Sequence, residues 1–382
     1  MARTDVDIFV SGGGIAGLVA AAGLAQRGLS VVVADPAPPP TKSATDGSDQ
    51  RSTAFLTPAR DLLVGLGVWD ALAPHACALE TLRVVDCSGD PPRPATDRAF
   101  RADDLGEAAF GWNVPNWLTR KTLTQRLSDM ANVDLRLGVG FADMVTRDRE
   151  ALVTLSDASA YRARLVIGAD GRASPVRAAA GIDVRVTRYG QKAFAFVTTH
   201  PIAHENVSTE LYLSGGAFTL VPLPDIDGTP ASAVVWMNDA SVARDLARLD
   251  DAAFAAAATA RSCHVLGPLT VASPRRTWPI VTQKADRLVA QRTALIAEAA
   301  HVMPPIGAQG LNTSLHDVAA LLDLIDVTGD PCDRAVLDAY STARAHDIHA
   351  RSRAIDVFNR VCRSDAAPVQ ALRSLGLRLT HD

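Results

Sequence analysis

The chain has 382 residues, of which 48% are hydrophobic and 21% charged, and its formal net charge is −4. This length allows two or three domains with full cores, and the composition excludes a largely disordered chain. A mildly acidic protein without a basic run does not fit nucleic-acid binding. The five cysteines have neither CxxC nor Cys/His ligand spacing, which indicates reduced thiols in the cytoplasm and no metal site.

The most specific pattern lies near the N-terminus, in residues 6–35. Residues 6–10 are apolar and β-branched, which predicts a buried parallel strand, and residues 18–27 are rich in Ala and Leu, which predicts a helix. A second buried strand is predicted over residues 29–34. The stretch therefore predicts one strand–helix–strand unit of a parallel sheet.

A glycine fingerprint joins the first predicted strand to the helix. In the pattern GxGxxG the first glycine turns the chain, the second lets the backbone approach a pyrophosphate, and the third lets helix and strand pack closely. Asp35 ends the second strand, where a carboxylate can accept hydrogen bonds from a ribose. The alternative is a unit whose glycines serve packing alone. The predicted dinucleotide-binding residues are Gly12, Gly14, Ile15, Ala16, Gly17 and Asp35.

Two arginines follow at positions that suit a diphosphate. A loop rich in Pro, Ser, Thr and Gly is predicted over residues 36–48, and Arg51 comes directly after it. From there a guanidinium can reach back to a diphosphate through bidentate hydrogen bonds, and the alternative is a solvated loop charge. Arg120 lies at the start of a predicted helix whose leucines, four residues apart, face the core.

Shorter strands are predicted around this helix. Residues 81–87 alternate as a strand does, whereas residues 89–104 are rich in proline and charge, which predicts an irregular connection. Residues 110–118 fit either a strand or a loop. Four alternating runs then predict a meander leading into a buried strand, and they cover residues 133–137, 141–147, 151–155 and 161–167.

The middle of the chain changes character after the turn at Asp170 and Gly171. Ser174 and Pro175 form a helix N-cap with a first-position proline. From there to about residue 276 apolar runs predict strands, interrupted by a helix over residues 240–261. This change predicts a sheet domain inserted between two parts of the nucleotide domain.

The nucleotide domain is predicted to resume at residues 293–301, an apolar strand ending in the carboxylate of Glu298. Residues 302–310 contain two prolines and two glycines and lead into a helix over residues 311–325, whose N-terminus favours negative charge. His301 fits either a base or a structural hydrogen bond, so no catalytic base is named. Residues 332–363 are mostly helical in pattern, and residues 369–379 form an amphipathic end for which packing on its own domain is preferred over a membrane or partner surface.

Three motifs in order make the chain resemble the FAD-dependent aromatic hydroxylases, the group A flavoprotein monooxygenases. They are the glycine fingerprint, the Asp-Gly pair at residues 170–171, and the stretch from residue 297 to 312. Within that family the chain is similar to the ubiquinone-biosynthesis hydroxylases, through DQRSTA at 49–54, LGVW at 66–69 and NVPNWL at 113–118. One departure stands out, because Ala297-Glu298 replaces the Gly-Asp pair that most relatives have.

The residues and the resemblance together imply an α/β fold, in which a Rossmann-like FAD-binding domain carries an inserted α+β substrate domain and C-terminal helices. The implied FAD-binding segments are residues 1–76, 116–180 and 278–330. The implied substrate segments are residues 77–115 and 181–277, and a C-terminal helical region covers residues 331–382.

The resemblance implies a monooxygenase in which NAD(P)H reduces FAD and one atom of O2 passes to a phenolic ring through a C4a-hydroperoxyflavin. The ring is expected to belong to a polyprenylated ubiquinone precursor. Peripheral membrane attachment at the inner face, a biosynthetic complex and a homo-oligomer remain open. The flavin-binding residues implied by the resemblance are Arg51 and Arg120 at the diphosphate or ribityl chain, Asp170, Gly171 and Glu298, and Pro304, Gly307, Gln309, Gly310, Leu311 and Asn312 at the flavin loop.

Two alternatives stay open at this point. An FAD oxidoreductase of the same fold could act on a substrate that is not a quinone precursor. A non-catalytic assembly or lipid-binding paralogue is the second alternative, because Ala297-Glu298 departs from the usual flavin-binding pair.

Overall fold

The computed structural model describes residues 4–37, 51–89, 91–213 and 215–363. The loop predicted over residues 36–48, beyond its first two residues, lies outside this part of the chain. So do residues 49 and 50 of the DQRSTA pattern and the amphipathic pattern over residues 369–379.

The described residues form helices and strands in mixed order, and single 3-10 turns occur at Ala73–His75 and Asp103–Leu105. The helices are α1 (Ile15–Gln26), α2 (Thr57–Gly65), α3 (Trp69–Leu72), α4 (Asn116–Ser128), α5 (Pro175–Ala179), α6 (Ala240–Leu246), α7 (Asp251–Arg261), α8 (Ala297–Ala300), α9 (Gln309–Leu324) and α10 (Arg334–Arg363). The strands are β1 (Thr4–Ser11), β2 (Val31–Asp35), β3 (Ser52–Leu56), β4 (Cys77–Leu79), β5 (Thr81–Ser88), β6 (Arg93–Arg101), β7 (Gly111–Pro115), β8 (Val133–Leu137), β9 (Phe141–Thr146), β10 (Ala151–Leu155), β11 (Ala160–Gly168), β12 (Val184–Thr199), β13 (Val207–Leu213), β14 (Gly216–Ile226), β15 (Thr229–Asp239), β16 (Thr270–Val271), β17 (Arg276–Ala285), β18 (Val289–Ala290), β19 (Thr293–Leu295) and β20 (His301–Val302).

An eight-stranded sheet carries the glycine fingerprint. Its order is β18-β19-β11-β1-β2-β8, and the pairs from β19 to β8 are parallel. Ile8, Phe9 and Val32 are fully buried, as both faces of a parallel sheet are covered. The meander prediction was wrong in one part, because β8 pairs in parallel with β2 while β9 and β10 lead into β11. Alternating residues fit both pairings, so the pattern alone did not distinguish them.

A nine-stranded sheet has the order β20-β17-β12-β15-β14-β13-β5-β6, with β16 beside β12. The prediction of an irregular connection over residues 89–104 was wrong, since β6 pairs antiparallel with β5. Charge and proline suit this strand because it lies at the sheet edge, and Pro94 sits where the register shifts. The helix predicted over 240–261 is divided into α6 and α7, and the Asp250 carboxylate caps α7.

The third sheet is small and has the order β3-β7-β4. It resolves the open interpretation of residues 110–118, which form strand β7 followed by the first turn of α4. The predicted α/β class is confirmed. The predicted segment boundaries stay a prediction. Strand β17, which crosses residue 277, and strand β20, which follows it, both belong to the nine-stranded sheet.

The two faces of the nine-stranded sheet differ. We call the face that packs against α7 the outer face, where Phe194, Phe196 and Trp236 surround Phe254 in a cluster of its own. The opposite, inner face contributes Tyr212 and Met237 to the main core that also contains β1 and α1. None of the helices in the described part of the chain is long and apolar enough to cross a membrane.

Candidate functional site

The glycine turn after β1 is shaped by two of its three fingerprint glycines. Gly12 has φ +115°, and a Cβ there would lie 2.3 Å from the carbonyl oxygen of Ala169. A Cβ on Gly17 would lie 2.1 Å from the carbonyl oxygen of Gly12. A Cβ on Gly14, in contrast, would meet no atom within 4 Å. The fold therefore requires Gly12 and Gly17, whereas Gly14 borders open space.

That open space lies at the N-terminus of α1. Gly14 is the N-cap residue and supplies no side-chain hydrogen bond, and the first turn, which includes Ile15 and Ala16, has no acidic residue. The first N–H groups of a helix lack intrahelical partners and carry a partial positive charge. The turn can therefore bind an anion such as a diphosphate.

Asp35 and Arg120 meet at Gly13 in this turn. The Asp35 carboxylate accepts hydrogen bonds from the Gly13 N–H at 2.6 Å and from the Ala37 N–H at 2.9 Å. Arg120 Nε donates to the Gly13 carbonyl oxygen at 3.1 Å. Both side chains that the sequence assigned to a dinucleotide thus lie at the glycine turn.

Arg51 has different neighbours from Asp35 and Arg120. Its side chain is exposed, and its guanidinium lies 5.7 Å from the centroid of the Trp278 ring on β17. Its carbonyl oxygen accepts from the Asn116 N–H at the start of α4. The contact of Arg51 with a diphosphate stays a prediction.

Asp170 lies against the glycine turn, next to Ala169. Its Oδ2 accepts from Ser11 Oγ at 3.2 Å and from the Val176 N–H at 3.0 Å. Burial raises the pKa of Asp170, although its hydrogen bonds favour the charged form. The other oxygen, Oδ1, is buried and has no hydrogen-bond partner among the described residues. An unpartnered buried carboxylate oxygen fits a ligand that brings a donor, such as a hydroxyl.

The turn at Gly171 connects this region to the second half of the site. Ser174 N–H donates to the Gly171 carbonyl oxygen and so starts α5. The buried guanidinium of Arg177 then donates to the carbonyl oxygens of Arg172 at 3.0 Å and Ala299 at 2.9 Å. Arg177, which the sequence analysis did not select, therefore fixes the Asp-Gly turn relative to α8.

Glu298 does not end a strand, and that prediction was wrong. Strand β19 ends at Leu295, and Ala297–Ala300 forms the single helical turn α8, from which the Glu298 side chain is exposed. Ala297 has φ +56°, a backbone conformation that favours glycine. The chain therefore keeps the turn that a glycine would stabilise, although alanine occupies the position.

The Pro- and Gly-rich loop containing Pro304 and Gly307 leads into α9, which begins at Gln309, two residues before the predicted start. Gln309, Gly310, Leu311 and Asn312 form its first turn. The Asn312 amide donates to the carbonyl oxygens of Ala54 at 2.8 Å and Ala308 at 2.7 Å, and it accepts from the Leu56 N–H at 3.0 Å. The Asn312 side chain thus holds α9 against β3, and its amide is engaged within the protein.

A buried polar network lies beneath this loop and was missed by the sequence analysis. Asp317 Oδ2 lies 2.7 Å from His301 Nε2 and accepts from the Ala297 N–H at 2.9 Å. Asp317 Oδ1 accepts from Arg344 Nε of α10 at 2.8 Å. Both Asp317 and His301 are almost fully buried, which favours the structural interpretation of His301 over a base. The sequence carried no distinct signal for the network, because Asn312, Thr313 and Ser314 of the same helix are polar and buried as well.

The inner face of the nine-stranded sheet is more open than the outer face. Thr219, Val221 and Val235 lie on central strands, yet each is only partly buried, whereas Phe218 and Val234 on the outer face are at most 1% exposed. Antiparallel sheets such as this one commonly pack one face against a core and leave the other face accessible. These three partly exposed residues therefore form an accessible surface on the inner face, which we call the inner floor.

The chain matches the FAD binding domain family over residues 5–353. It is 33% identical to ubiquinone hydroxylase UbiL of Rhodospirillum rubrum over 376 residues, which cover 97% of this chain and 85% of that protein. It is 28% identical to 3-demethoxyubiquinol 3-hydroxylase of Escherichia coli, covering 99% of this chain and 95% of that protein. The crystal structure of p-nitrophenol 4-monooxygenase PnpA from Pseudomonas putida superposes with a TM-score of 0.80 at 17% identity, over 98% of this chain and 94% of that chain.

Proposed function

The chain belongs to the FAD binding domain family and is an FAD-dependent monooxygenase related to ubiquinone hydroxylases, and on this premise we propose that it hydroxylates the phenolic ring of a polyprenylated ubiquinone precursor. Its co-substrates are NAD(P)H and O2, and it acts on a small aromatic molecule. The observation that carries the proposed substrate is the similarity to ubiquinone hydroxylase UbiL along 97% of this chain.

The shape of the inner floor supports an apolar substrate. On β14 the floor consists of Thr219 and Val221, and on β15 it continues with Val235, the register partner of Thr219. Beside it on the same face, Leu223, Ala231 and Ala233 form a buried apolar cluster. A ring with a long apolar chain would bury its surface against such a strip, whereas a charged substrate would lose hydration there.

FAD, when bound, supplies the electron and oxygen transfer of this reaction. The tasks of the protein are binding, orientation and exclusion of water. The N-terminus of α1 and Asp35 would hold the diphosphate and ribose, and Asp170 Oδ1 would accept from a hydroxyl. The N-terminus of α9 would stabilise negative charge on the ring system, because helix N–H groups point toward it.

We propose the following FAD site. One part lies at the start of α1 and the other at the start of α9, with Arg177 and Ala169 joining them. The residues are Gly12, Gly14, Ile15, Ala16, Gly17, Asp35, Arg51, Arg120, Asp170, Gly171, Glu298, Pro304, Gly307, Gln309, Gly310, Leu311 and Asn312.

Two alanine substitutions separate FAD binding from folding. Gly14→Ala places its methyl group in open space, so we expect the apoprotein to lose at most about 1 kcal/mol of stability while FAD binding weakens. Gly17→Ala forces a methyl group against the Gly12 carbonyl oxygen, so we expect the apoprotein itself to unfold at lower temperature. FAD titration and thermal unfolding of the apoproteins measure both effects. Undiminished FAD affinity in Gly14→Ala would place the diphosphate elsewhere.

The proposed reaction is tested with isotopically labelled O2. Purified protein is supplied with NADH or NADPH and with prenylated or unsubstituted phenols, and products are analysed by mass spectrometry. We expect labelled oxygen in the ring of a prenylated phenol. Oxidation of NAD(P)H without a labelled product from any of these phenols would contradict the proposal, and a colourless protein that cannot be reconstituted with FAD would favour the non-catalytic alternative.

A further inference from the structure

Glu210 places a carboxylic acid on the inner face beside the inner floor. It lies on β13, where its register partners are Thr219 on β14 and Val84 on β5. Its neighbour Leu211 points to the outer face and is fully buried there, so alternation directs Glu210 to the inner face. Its side chain is half-buried. A carboxylate between threonine and valine is costly to bury unless it has a polar partner or a ligand.

Tyr212 supplies one polar partner. Its hydroxyl donates a hydrogen bond to Glu210 Oε2, and its ring lies edge-on to Phe358 of α10, with centroids 5.4 Å apart. Burial raises the pKa of Glu210, and the hydrogen bond from Tyr212 opposes part of that rise. A carboxylate can accept several hydrogen bonds, so Oε1 has capacity for a ligand hydroxyl.

Helix α10 links this pair to the loop at α9. Arg351 Nη1 donates to Gln309 Oε1 at 2.8 Å, and Phe358 follows Arg351 by seven residues on the same helix. Seven residues span about 10 Å along a helix axis. The Glu210–Tyr212 pair therefore lies on the inner face of the sheet, beside a part of α10 that is about two helical turns beyond the contact of α10 with the start of α9.

Other charged groups lie on the elements around the pair. On α7, Arg261 Nη2 donates to the carbonyl oxygens of Leu211 at 3.0 Å and Gly216 at 2.8 Å. Asp86 on β5 is the register partner of Tyr212, and Arg98 on β6 is the register partner of Val84. On α10, Asp356 is engaged by the Tyr189 hydroxyl at 2.7 Å and by Arg360 at 3.1 Å. Helix α10 thus presents an aromatic ring to Tyr212, while its nearest acidic group is already paired.

We propose that Glu210 accepts the hydroxyl proton of the phenolic substrate and that Tyr212 is a positioning residue that orients Glu210. This inference rests on the proposed function. The substrate O–H bond breaks, its electron pair stays on the phenolate oxygen, and the proton forms a bond with Glu210 Oε1. The phenolate is the more electron-rich ring for oxygen transfer. When the hydroxylated ring loses its C–H proton to solvent and regains aromaticity, Glu210 returns its proton to the ring oxygen.

The first test is the pH profile of kcat/KM with 2-prenylphenol, measured on FAD-loaded variants. In the wild type we expect activity to fall as the pH drops through the raised pKa of Glu210. In Glu210→Gln we expect a loss of about 10²- to 10⁴-fold at neutral pH, as for removal of a general base. The remaining rate should rise with pH, because the phenol then ionises in solution. In Tyr212→Phe the acid limb should move to higher pH, because the hydrogen bond that lowers the Glu210 pKa is lost.

The second test measures binding without turnover. Equilibrium dialysis gives the dissociation constant of 2-prenylphenol for the oxidised holoenzyme as a function of pH. We expect wild-type binding to weaken below the Glu210 pKa, because a protonated carboxyl accepts more weakly, and we expect no such dependence in Glu210→Gln. If the dissociation constant depended on pH equally in the wild type and in Glu210→Gln, the proposed contact between Glu210 and the phenol would be overturned.

Controls separate the possible failures. Glu205→Gln makes the same change at an exposed position of the loop before β13 and should leave both measurements unchanged. FAD content and circular dichroism show whether Glu210→Gln is folded. If Glu210→Gln does not fold, the shift of the acid limb in Tyr212→Phe tests the proposal instead. Labelled oxygen in the wild-type product with an unaltered profile in Glu210→Gln would overturn this inference alone, whereas no labelled product from the wild type would overturn the proposed function.

Discussion

At the scale of single residues, Ala297 adopts a backbone conformation at the start of α8 that favours glycine. Its φ of +56° brings Cβ too close to the following carbonyl oxygen, which costs about 1–2 kcal/mol for a residue other than glycine. Its N–H still donates to Asp317, and the buried residues around it still form one core. The strained position is thus held by its surroundings rather than by its own preference.

Ala297→Gly is expected to stabilise the protein by about 1 kcal/mol, because glycine adopts positive φ without strain and this gain exceeds its greater freedom in the unfolded chain. Urea unfolding monitored by circular dichroism measures the change. Ala299→Gly is the matched control in the same turn, and there we expect a loss of about 0.5–1 kcal/mol. A lower free energy of unfolding in Ala297→Gly would mean that the positive φ of Ala297 is not a strained conformation.

At the scale of elements, Asp317 joins three helices. It accepts from the Ala297 N–H of α8 and from Arg344 of α10, while it is itself part of α9. Arg344 also donates a hydrogen bond to the Asp347 carboxylate at 2.8 Å. Arg351 donates to both Asp347 and Gln309 and so connects these two residues. The start of α9 is therefore oriented by a polar network rather than by apolar packing alone.

Asp317→Asn is expected to lower the free energy of unfolding by about 1–3 kcal/mol, because the buried guanidinium of Arg344 loses one of its two carboxylate partners and keeps only Asp347. FAD affinity should fall as well, since the start of α9 loses its support. Asp338→Asn is the control, because Asp338 forms an exposed pair with Arg334 and should contribute less than about 1 kcal/mol. Similar losses in the two variants would show that the network is not what orients α9.

At the scale of the whole molecule, two apolar cores serve different tasks. The main core joins β1, α1 and α9 around the glycine turn, whereas the outer face of the nine-stranded sheet has its own cluster under α7. Phe254 is the centre of that cluster, with ring centroids 5.2 Å from Phe194 and 5.0 Å from Phe196. No residue of the glycine turn belongs to the cluster under α7.

Phe254→Ala is therefore expected to lower the free energy of unfolding by about 3–5 kcal/mol and to leave FAD affinity unchanged. Chemical unfolding and FAD titration on the same sample measure the two quantities. This result is the reverse of the one expected for Gly14→Ala, which weakens binding while the apoprotein stays folded. A parallel loss of FAD affinity in Phe254→Ala would mean that the two cores act as one.

The sequence by itself determined the strand–turn–helix unit at Gly12, because periodicity and the glycine spacing are properties of neighbouring residues. It also predicted the α/β class and the positions of Asp35 and Asp170 at or just after strand ends. The prediction that Arg120 starts a helix was wrong, because α4 begins at Asn116, four residues earlier. Predictions failed at β6 and β8, because an alternating or charged segment leaves open which strand it pairs with and on which edge. Pairing is decided by contacts that propensity does not contain.

Only the tertiary structure decided which distant side chains meet. Asp317 meets His301 and Arg344, which are 16 and 27 residues away, and Arg177 meets Ala299 across 122 residues. Glu210 is one charged residue of an alternating strand in the sequence, and only the order of the sheet places it on the inner face beside Tyr212. Local patterns fix how each segment folds, whereas a site is formed by packing between segments, and the chain positions of those segments do not encode their distance in space.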